Sequence, residues 1–313
     1  MKRLIDLGFI AFACLTTMKL SAMPIAFDDM GDASAYIFND FTGTNSDSQK
    51  ALWVGGNADF SSYSVATLND WNSLALTVQG NFSQSGGDVN GLSSIGGDIL
   101  ITSASALRTT TESRNFDQQY FTELSQRLSA QENGTHAIVW GALQLSLSRN
   151  LINDTLFVSL DQQILDSVWG IFTQDIFNGT RVVLNVSGTD VSMSGSKDWW
   201  LKDHNYSFNH KANNVLFNFY EAENLSIAGG IYASILAPNA DVIGGSGALN
   251  GQLIANSFNG STQLNDAAFS VDTPATDVSE PAAFYLVAFV VFLLGVRRLQ
   301  KFRWVKQDEG CPA

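Results

Sequence analysis

The sequence predicts a mainly β fold made of stacked coils, and three observations lead there. The 313 residues are 45% hydrophobic and 15% charged, so the chain can bury a large core and is not compositionally disordered. Its 26 glycines and 5 prolines, with abundant Ser, Thr and Asn, suit many short strands joined by turns. Short apolar runs also alternate with Gly-Asn or Gly-Asp turns along much of the chain, which is the strand-and-turn pattern of β structure.

The repetition starts at Leu52-Trp53-Val54, which runs into Gly55-Gly56-Asn57. Leu74 to Val78 then reaches Gly80-Asn81-Phe82, and Ile95-Gly96-Gly97-Asp98 precedes Ile99-Leu100-Ile101. The turn residues Asn57, Asn81 and Asp98 are spaced by 24 and 17 residues, near the coil lengths of a solenoid. Ala137 to Leu147, Leu156 to Leu160 and Val182 to Val186 read as further strands, and after Gly188, Val191 and Met193 alternate with polar residues as one sheet face requires.

One segment departs from this rhythm. Phe116, Tyr120, Leu124 and Leu128 recur every four residues, with Phe121 beside the stripe, Glu123 and Arg127 for the wet side and Asn133-Gly134 as a stop. That spacing predicts an amphipathic helix of about five turns packed along the sheet. Stacked coils need closed ends, and the N-terminal segment and this helix are the candidate caps.

Charge separates the ends from the middle. Residues 23–281 hold 9 basic and 27 acidic groups, with the basic ones scattered, which argues against nucleic acid as a partner. Both cysteines, Cys14 and Cys311, lie outside this stretch, so neither a disulfide framework nor a thiolate metal site is available within it. Lys2 and Arg3, the apolar stretch Leu7 to Leu15 and the small residues Ser21 and Ala22 have the layout of a secretory signal cut after Ala22. Lipoprotein processing at Cys14 is the less favoured alternative, because Phe12 is bulky where a small residue is wanted.

At the other end the uncharged run Ala282 to Val296 precedes Arg297, Arg298, Lys301 and Arg303, which should stay cytoplasmic. As a helix it spans only about 22 Å, short of the roughly 30 Å hydrocarbon core. With Ser279, Glu280 and Pro281 in front, the arrangement resembles a PEP-CTERM sorting signal, in which an exosortase reads a Pro-Glu-Pro motif, an apolar helix and a basic cluster. Ser279 stands where that motif has its first proline. Exosortase processing and a retained C-terminal anchor are both open at this point. The expected organisation is a signal peptide at 1–22, one large domain at 23–275 and a linker with membrane-sorting tail at 276–313.

A further resemblance rests on ordered motifs. Val54-Gly55-Gly56-Asn57, Asn185-Val186-Ser187-Gly188, Asn218-Phe219, Ser234-Ile235-Leu236-Ala237-Pro238-Asn239-Ala240 and Asn250-Gly251 followed by Ala255 are similar to the signature of the choice-of-anchor A family. That family often carries His or Glu after its last strand, where this chain has Thr262, Gln263, Leu264 and Asn265. The resemblance implies an ice-binding-like adhesive domain: a right-handed β-solenoid with one long helix packed alongside. Structure alone can account for the matched residues, Pro238 by ending a strand, Asn239 by tying its own backbone, and Gly244, Gly245 and Gly251 by close coil stacking.

Catalytic and metal readings are weak. His204 and His210, with Asp203, lack zinc-ligand spacing, and His136 stands apart. Asp28, Asp29 and Asp32 lack the EF-hand order. No nucleophile elbow or phosphate-binding loop is present. Trp199 and Trp200 could stack on sugars, but neighbours in a strand face opposite ways. The expected protein is therefore an exported, noncatalytic adhesin-like module without a cofactor, binding a glycan, cell-surface or matrix ligand. Ice binding is the runner-up and a polysaccharide-active enzyme the third reading. Ice recognition needs a flat array of Thr or similar small residues, and Thr109-Thr110-Thr111 is an isolated cluster.

Overall fold

In the computed structural model the described residues are Phe27, Gly31, 33–102, 106–173, 180–195, 198–202, 208–209 and 214–269, the side chains of 173, 198–202 and 208–209 excepted. The chain divides into two compact units, Met1–Val271 and Asp272–Ala313, and the second lies outside the described residues.

The first half contains β1 (Ala35–Ile37), β2 (Phe41–Asp47), β3 (Leu52–Val54), β4 (Ala58–Ser64), β5 (Leu74–Val78), β6 (Phe82–Ser85), β7 (Leu92–Ile95), β8 (Ile99–Ile101) and β9 (Arg108–Thr109). Then come α1 (Gln118–Ser129), β10 (Gly134–Val139), β11 (Ala142–Leu147), β12 (Thr155–Asp161), α2 (Gln162–Ser167) and β13 (Gly170–Thr173). The second half continues with β14 (Arg181–Ser187), β15 (Asp190–Met193), β16 (Asp198–Lys202), β17 (Phe208–Asn209), β18 (Val215–Phe219), β19 (Asn224–Ile231), β20 (Ser234–Asn250), β21 (Leu253–Gly260) and β22 (Gln263–Asn265).

These strands stack in parallel ladders, giving the mainly β, solenoid-like architecture. The first ladder runs β12, β14, β18, β20, β21, β1, β3, β5, β7, β9. The second runs β15, β19, β20, β21, β2, β4, β6, β8. A short third ladder joins the ends of β19 and β20 to β22. Strand β20 crosses all three, and its register breaks between Ala237 and Asp241. Pro238 sits at that corner, where a residue without a backbone donor removes nothing from the ladder.

The ladder order shows that the chain does not wind from one end to the other. Its first coil lies in the middle, β1 pairing with β3 on one side and with β21, the second-last strand, on the other. The first half steps away to β9; the second half starts at the far end with β12 and returns until β21 closes on β1. Phe41 and Phe258 stack across this junction at 4.8 Å between ring centroids. Inward residues from both halves, including Ile37, Leu52, Phe60, Leu184, Phe217 and Val242, form one buried interior.

Helix α1 lies against the outer face of the first ladder. Asp117 caps its start by accepting from the Tyr120 N–H at 2.9 Å, a favoured N-cap bond. Phe121, Leu124 and Leu128, spaced by three and four, are buried against outward residues Tyr36, Leu216, Leu236 and Ile254. The helix has 12 residues, about three turns rather than the five that periodicity suggested. Phe116 continues the apolar stripe ahead of the cap without being helical, packing on Tyr36 at 4.9 Å.

Two buried asparagines on the ladder fasten the helix. Asn218 Nδ2 donates to the Ser125 carbonyl at 2.8 Å, and its Oδ1 accepts from Ser125 Oγ at 2.6 Å. Asn185 Nδ2 donates to the Leu128 and Gln131 carbonyls at 2.8 and 3.2 Å, so the orphan carbonyls of the helix end find partners. Asn239 accepts from Thr122 Oγ1 at 3.2 Å, a tie to the helix where its own backbone was expected. The sequence motifs around Asn185, Asn218 and Asn239 thus share one physical role.

Two further expectations are corrected. Ala137 to Leu147 is a hairpin, β10 and β11, because Trp140 and Gly141 both take positive φ and turn the chain. Helix α1 caps neither end, and most of the N-terminal segment lies outside the described residues. A separate five-stranded sheet, β10-β11-β13-β16-β17, closes the β12 end with α2: Leu143, Leu145, Ile171 and Leu165 join the interior of Leu156 and Val158. At the other end Ile99, in the core-facing register of Phe82, is 45% exposed.

Asn218→Ala leaves the Ser125 carbonyl and its own neighbour Asn185 short of a partner in a buried site. It should cost about 1–3 kcal/mol, read as a lower midpoint in urea unfolding.

Tyr63 supplies a pH prediction. Its ring packs on Phe41 and Phe60 at 5.5 and 5.3 Å, and its hydroxyl is buried with no hydrogen-bond partner. Burial first, and nearby Asp47 second, hold this hydroxyl's pKa well above tyrosine's ordinary 10.0. The unfolded chain therefore releases this proton first, so stability is full below pH 10 and falls as pH rises past it. Tyr63→Phe should raise stability by about 1 kcal/mol at neutral pH and flatten the alkaline decline, measured by thermal unfolding between pH 8 and 11.

Candidate binding face

The second ladder carries a long, regular exposed surface. Its strands alternate buried and outward residues, as in β4, where Ala58, Phe60 and Tyr63 are buried while Asp59 and Ser61 are exposed. In-register pairing lines up the outward positions across eight strands. From the second half come Ser192, Ser226, Ile243 and Asn259; from the first half Thr42, Asp59, Ser83 and Leu100 continue the row. At the strand spacing the row is roughly 34 Å long. Thr44, Ser61 and Ser85 begin a second row beside it. Neither row contains Lys or Arg.

Along the edge of this face, two residues before each strand's position in the row, runs a column of short polar residues. Asp190, Asn224, Asp241 and Ser257 belong to the second half; Asp40, Asn57, Asn81 and Asp98 to the first. Side chain and backbone link successive coils: Asn57 N–H donates to Asp40 Oδ1 at 2.7 Å, Asn81 N–H to Asn57 Oδ1 at 2.9 Å, and Asp98 N–H to Asn81 Oδ1 at 2.9 Å. In the other half Asn224 Nδ2 donates to Asp190 Oδ1 at 2.8 Å and Ser257 Oγ to Asp241 Oδ1 at 2.6 Å. The turn residues spaced by 24 and 17 in the sequence are thus the rungs of this ladder, held by the backbone and by each other. Where column and row meet in the first half they line an open groove of about 420 Å³, whose walls include Asp40, Thr42, Asp59, Ser83, Asp98 and Leu100.

Close coil stacking sets the flatness. A Cβ on Gly260 would lie 2.0 Å from the Gly244 carbonyl oxygen, and one on Gly244 would lie 2.6 Å from the Phe258 ring. Any side chain there would push neighbouring coils apart, so these positions fix the spacing between β20 and β21.

The arrangement offers many hydroxyl, amide and carboxylate groups at a constant repeat. Among the described residues no three His, Cys, Asp or Glu come together in a way that could hold a metal ion. His136 lies on β10, half-buried, in register with Leu145. Thr109 falls on the end strand β9, in register with Ser93, so the Thr109–Thr111 cluster is not part of the flat face. Trp199 and Trp200 lie on β16, paired in register with Ile171 and Phe172. His204, His210, Asp203, Asp28, Asp29, Asp32, the cleavage residue Ala22 and the sorting-signal residues Ser279, Glu280, Pro281, Arg297 and Arg298 lie outside the described residues. Among the described residues no helix is long and apolar enough to cross a membrane, and Ala282 to Val296 is not among them.

The sequence reading missed this face as a site. Its signal was present in Thr42/Thr44, Asp59/Ser61 and Ser83/Ser85, which alternate with buried residues, but nothing in one dimension showed that strands from both halves would share a register.

A stack of parallel coils presenting one long, regular and mostly polar surface suits a surface-recognition module. The chain belongs to the family described as an ice-binding-like adhesive domain, whose model matches residues 26–266. No curated protein and no solved structure matches it.

Proposed function

We propose that the chain is a noncatalytic adhesive module of the cell surface or extracellular matrix, which grips a hydroxyl-rich polymer or matrix component through the outer face of the second ladder. The observation that carries this reading is the single register shared by eight strands, which sets polar groups at a fixed repeat before any ligand arrives. Such preorganisation lets many weak contacts add without the entropy cost of ordering them. The reading takes the coils to wind right-handed, as parallel β crossovers nearly always do. It also takes the chain to be a choice-of-anchor A protein, exported by its N-terminal signal and cut after Ala22. A PEP-CTERM-like tail, read by an exosortase-like enzyme, would then place it at the envelope, with nucleic acid excluded as a partner by the acidic body.

A screen of immobilised glycans and matrix proteins with the purified body from Met23 to Ser279 tests the adhesive role. Thr42→Lys combined with Asn259→Lys should keep the chain folded at a cost of about 1 kcal/mol, because both positions face outward but are paired, which sets two like charges side by side. It should abolish the retention that the unaltered body shows. Undiminished retention by this variant would move the site elsewhere, and turnover of a glycan would replace the adhesive reading with an enzymatic one.

Ice is the second reading, favoured by the Ser, Thr and Asn positions of the same row. Asp59 interrupts that row and the column beside it adds Asp40, Asp98, Asp190 and Asp241, carboxylates that hold their hydration water strongly. The expected result is therefore that the purified body neither shapes ice crystals nor depresses their growth temperature. Faceted crystals at micromolar protein would make ice the ligand.

A further inference from the structure

The cap at the β12 end carries a second surface, of different chemistry from the flat face. Its hairpin turns through Trp140 and Gly141, with φ of 51° and 75°, the two positive values of a type I′ turn. Asn, Asp or Gly normally fill the first of these positions, and a bulky side chain there strains the backbone. Trp140 is also 94% exposed, so its ring contributes almost nothing to burial. A tryptophan that strains its own turn and stabilises no core has no folding role to explain it, and strain of this kind gathers at functional sites.

A second tryptophan is fixed beside it. Trp169 N–H donates to the Gly141 carbonyl at 3.0 Å, and Trp169 Nε1 donates to the Trp140 carbonyl at 3.0 Å. The Trp169 ring lies against the turn, 3.3 Å from where a Cβ on Gly141 would stand, and the residue is still 56% exposed. Gly141 leaves the Trp169 ring room to lie close to the turn, where its hydrogen bond holds it, while the Trp140 ring projects from the turn uncovered.

We propose that Trp140 and Trp169 form a stacking platform for the sugar rings of a neutral polysaccharide. Indole faces offer a large rigid contact at low conformational cost, which suits the apolar face of a pyranose. The two segments that carry the indoles, Gly134–Leu147 and 150–180, contain no Lys or Arg, which favours a neutral ligand over an anionic one, while exposed Asp166 precedes Trp169 by three residues and can accept from sugar hydroxyls. Ile138 on the same hairpin is 51% exposed and would also suit a bilayer, so vesicles enter the test as the competing outcome. This site is separate from the flat face and stands or falls apart from it.

The test titrates the purified full chain with cello-oligosaccharides, β-1,3-gluco-oligosaccharides and dextran, followed by tryptophan fluorescence and calorimetry. At least one of these should bind. Trp140→Ala should weaken it roughly tenfold while the unfolding midpoint stays unchanged. Trp140→Asn, which relieves the turn, should raise the midpoint and bind no better than Trp140→Ala. The flat-face variant Thr42→Lys/Asn259→Lys should bind the glucan undiminished, and phosphatidylcholine vesicles should take up the unaltered chain and Trp140→Ala alike. Failure of every glucan to bind, equal glucan affinity in Trp140→Ala, or a loss in that variant of vesicle binding instead would overturn the proposal.

Discussion

The parallel pairing of β21 with β1 is the constraint on which the rest of the molecule depends. The two halves of the chain build outward in opposite directions from the middle of the stack, and this pairing turns them into one body. Backbone bonds from Phe38 N–H to the Ala255 carbonyl and from Leu253 N–H to the Ser34 carbonyl, at 3.1 and 3.0 Å, hold the first ladder together there. Phe258 N–H donates to the Asp40 carbonyl at 3.0 Å and does the same for the second ladder. Because side chains repeat every two residues along a strand, a slip of one residue at this junction would turn one half's outward row inward. The stacked rings of Phe41 and Phe258 and the tight glycine contacts around them resist such a slip.

Helix α1 follows from the same topology. After β9 the chain must travel the length of the first ladder to reach β12, and an amphipathic helix makes that return while covering the ladder's apolar outer face. Without it Tyr36, Trp53, Leu216, Leu236 and Ile254 would lie in water. Asn185 and Asn218 add direction to this hydrophobic contact: their side-chain amides bond to each other at 2.9 Å and to the helix, which fixes where along the ladder the helix sits. Among the described residues the second ladder has no such cover, and its outward residues are mostly small and polar, with Ile243 and Leu100 as exposed apolar members. Covered on one side and bare on the other, the stack leaves one broad surface free for recognition, and the cap offers a narrower aromatic one at its end.

The sequence by itself determined the material of this fold. Strands β3, β5 and β8 stand where their apolar runs and Gly-Asn or Gly-Asp turns put them, because local alternation and turn chemistry are properties of a few neighbouring residues. The amphipathic stripe announced α1, although not where its cap would fall, since Phe116 keeps the period without joining the helix. Asn57, Asn81 and Asp98 were legible as turns at coil-length spacing. The tertiary structure alone decided that the turns bond into a column, that β21 closes on β1, that a hairpin and not a single strand follows the helix, and that a second sheet caps one end. It alone brought Thr42 beside Asn259 and Trp169 beside the turn of Trp140. Those contacts join residues far apart in the chain, and which long-range pairings form is settled by the interior they bury together, a quantity that no local stretch of sequence contains.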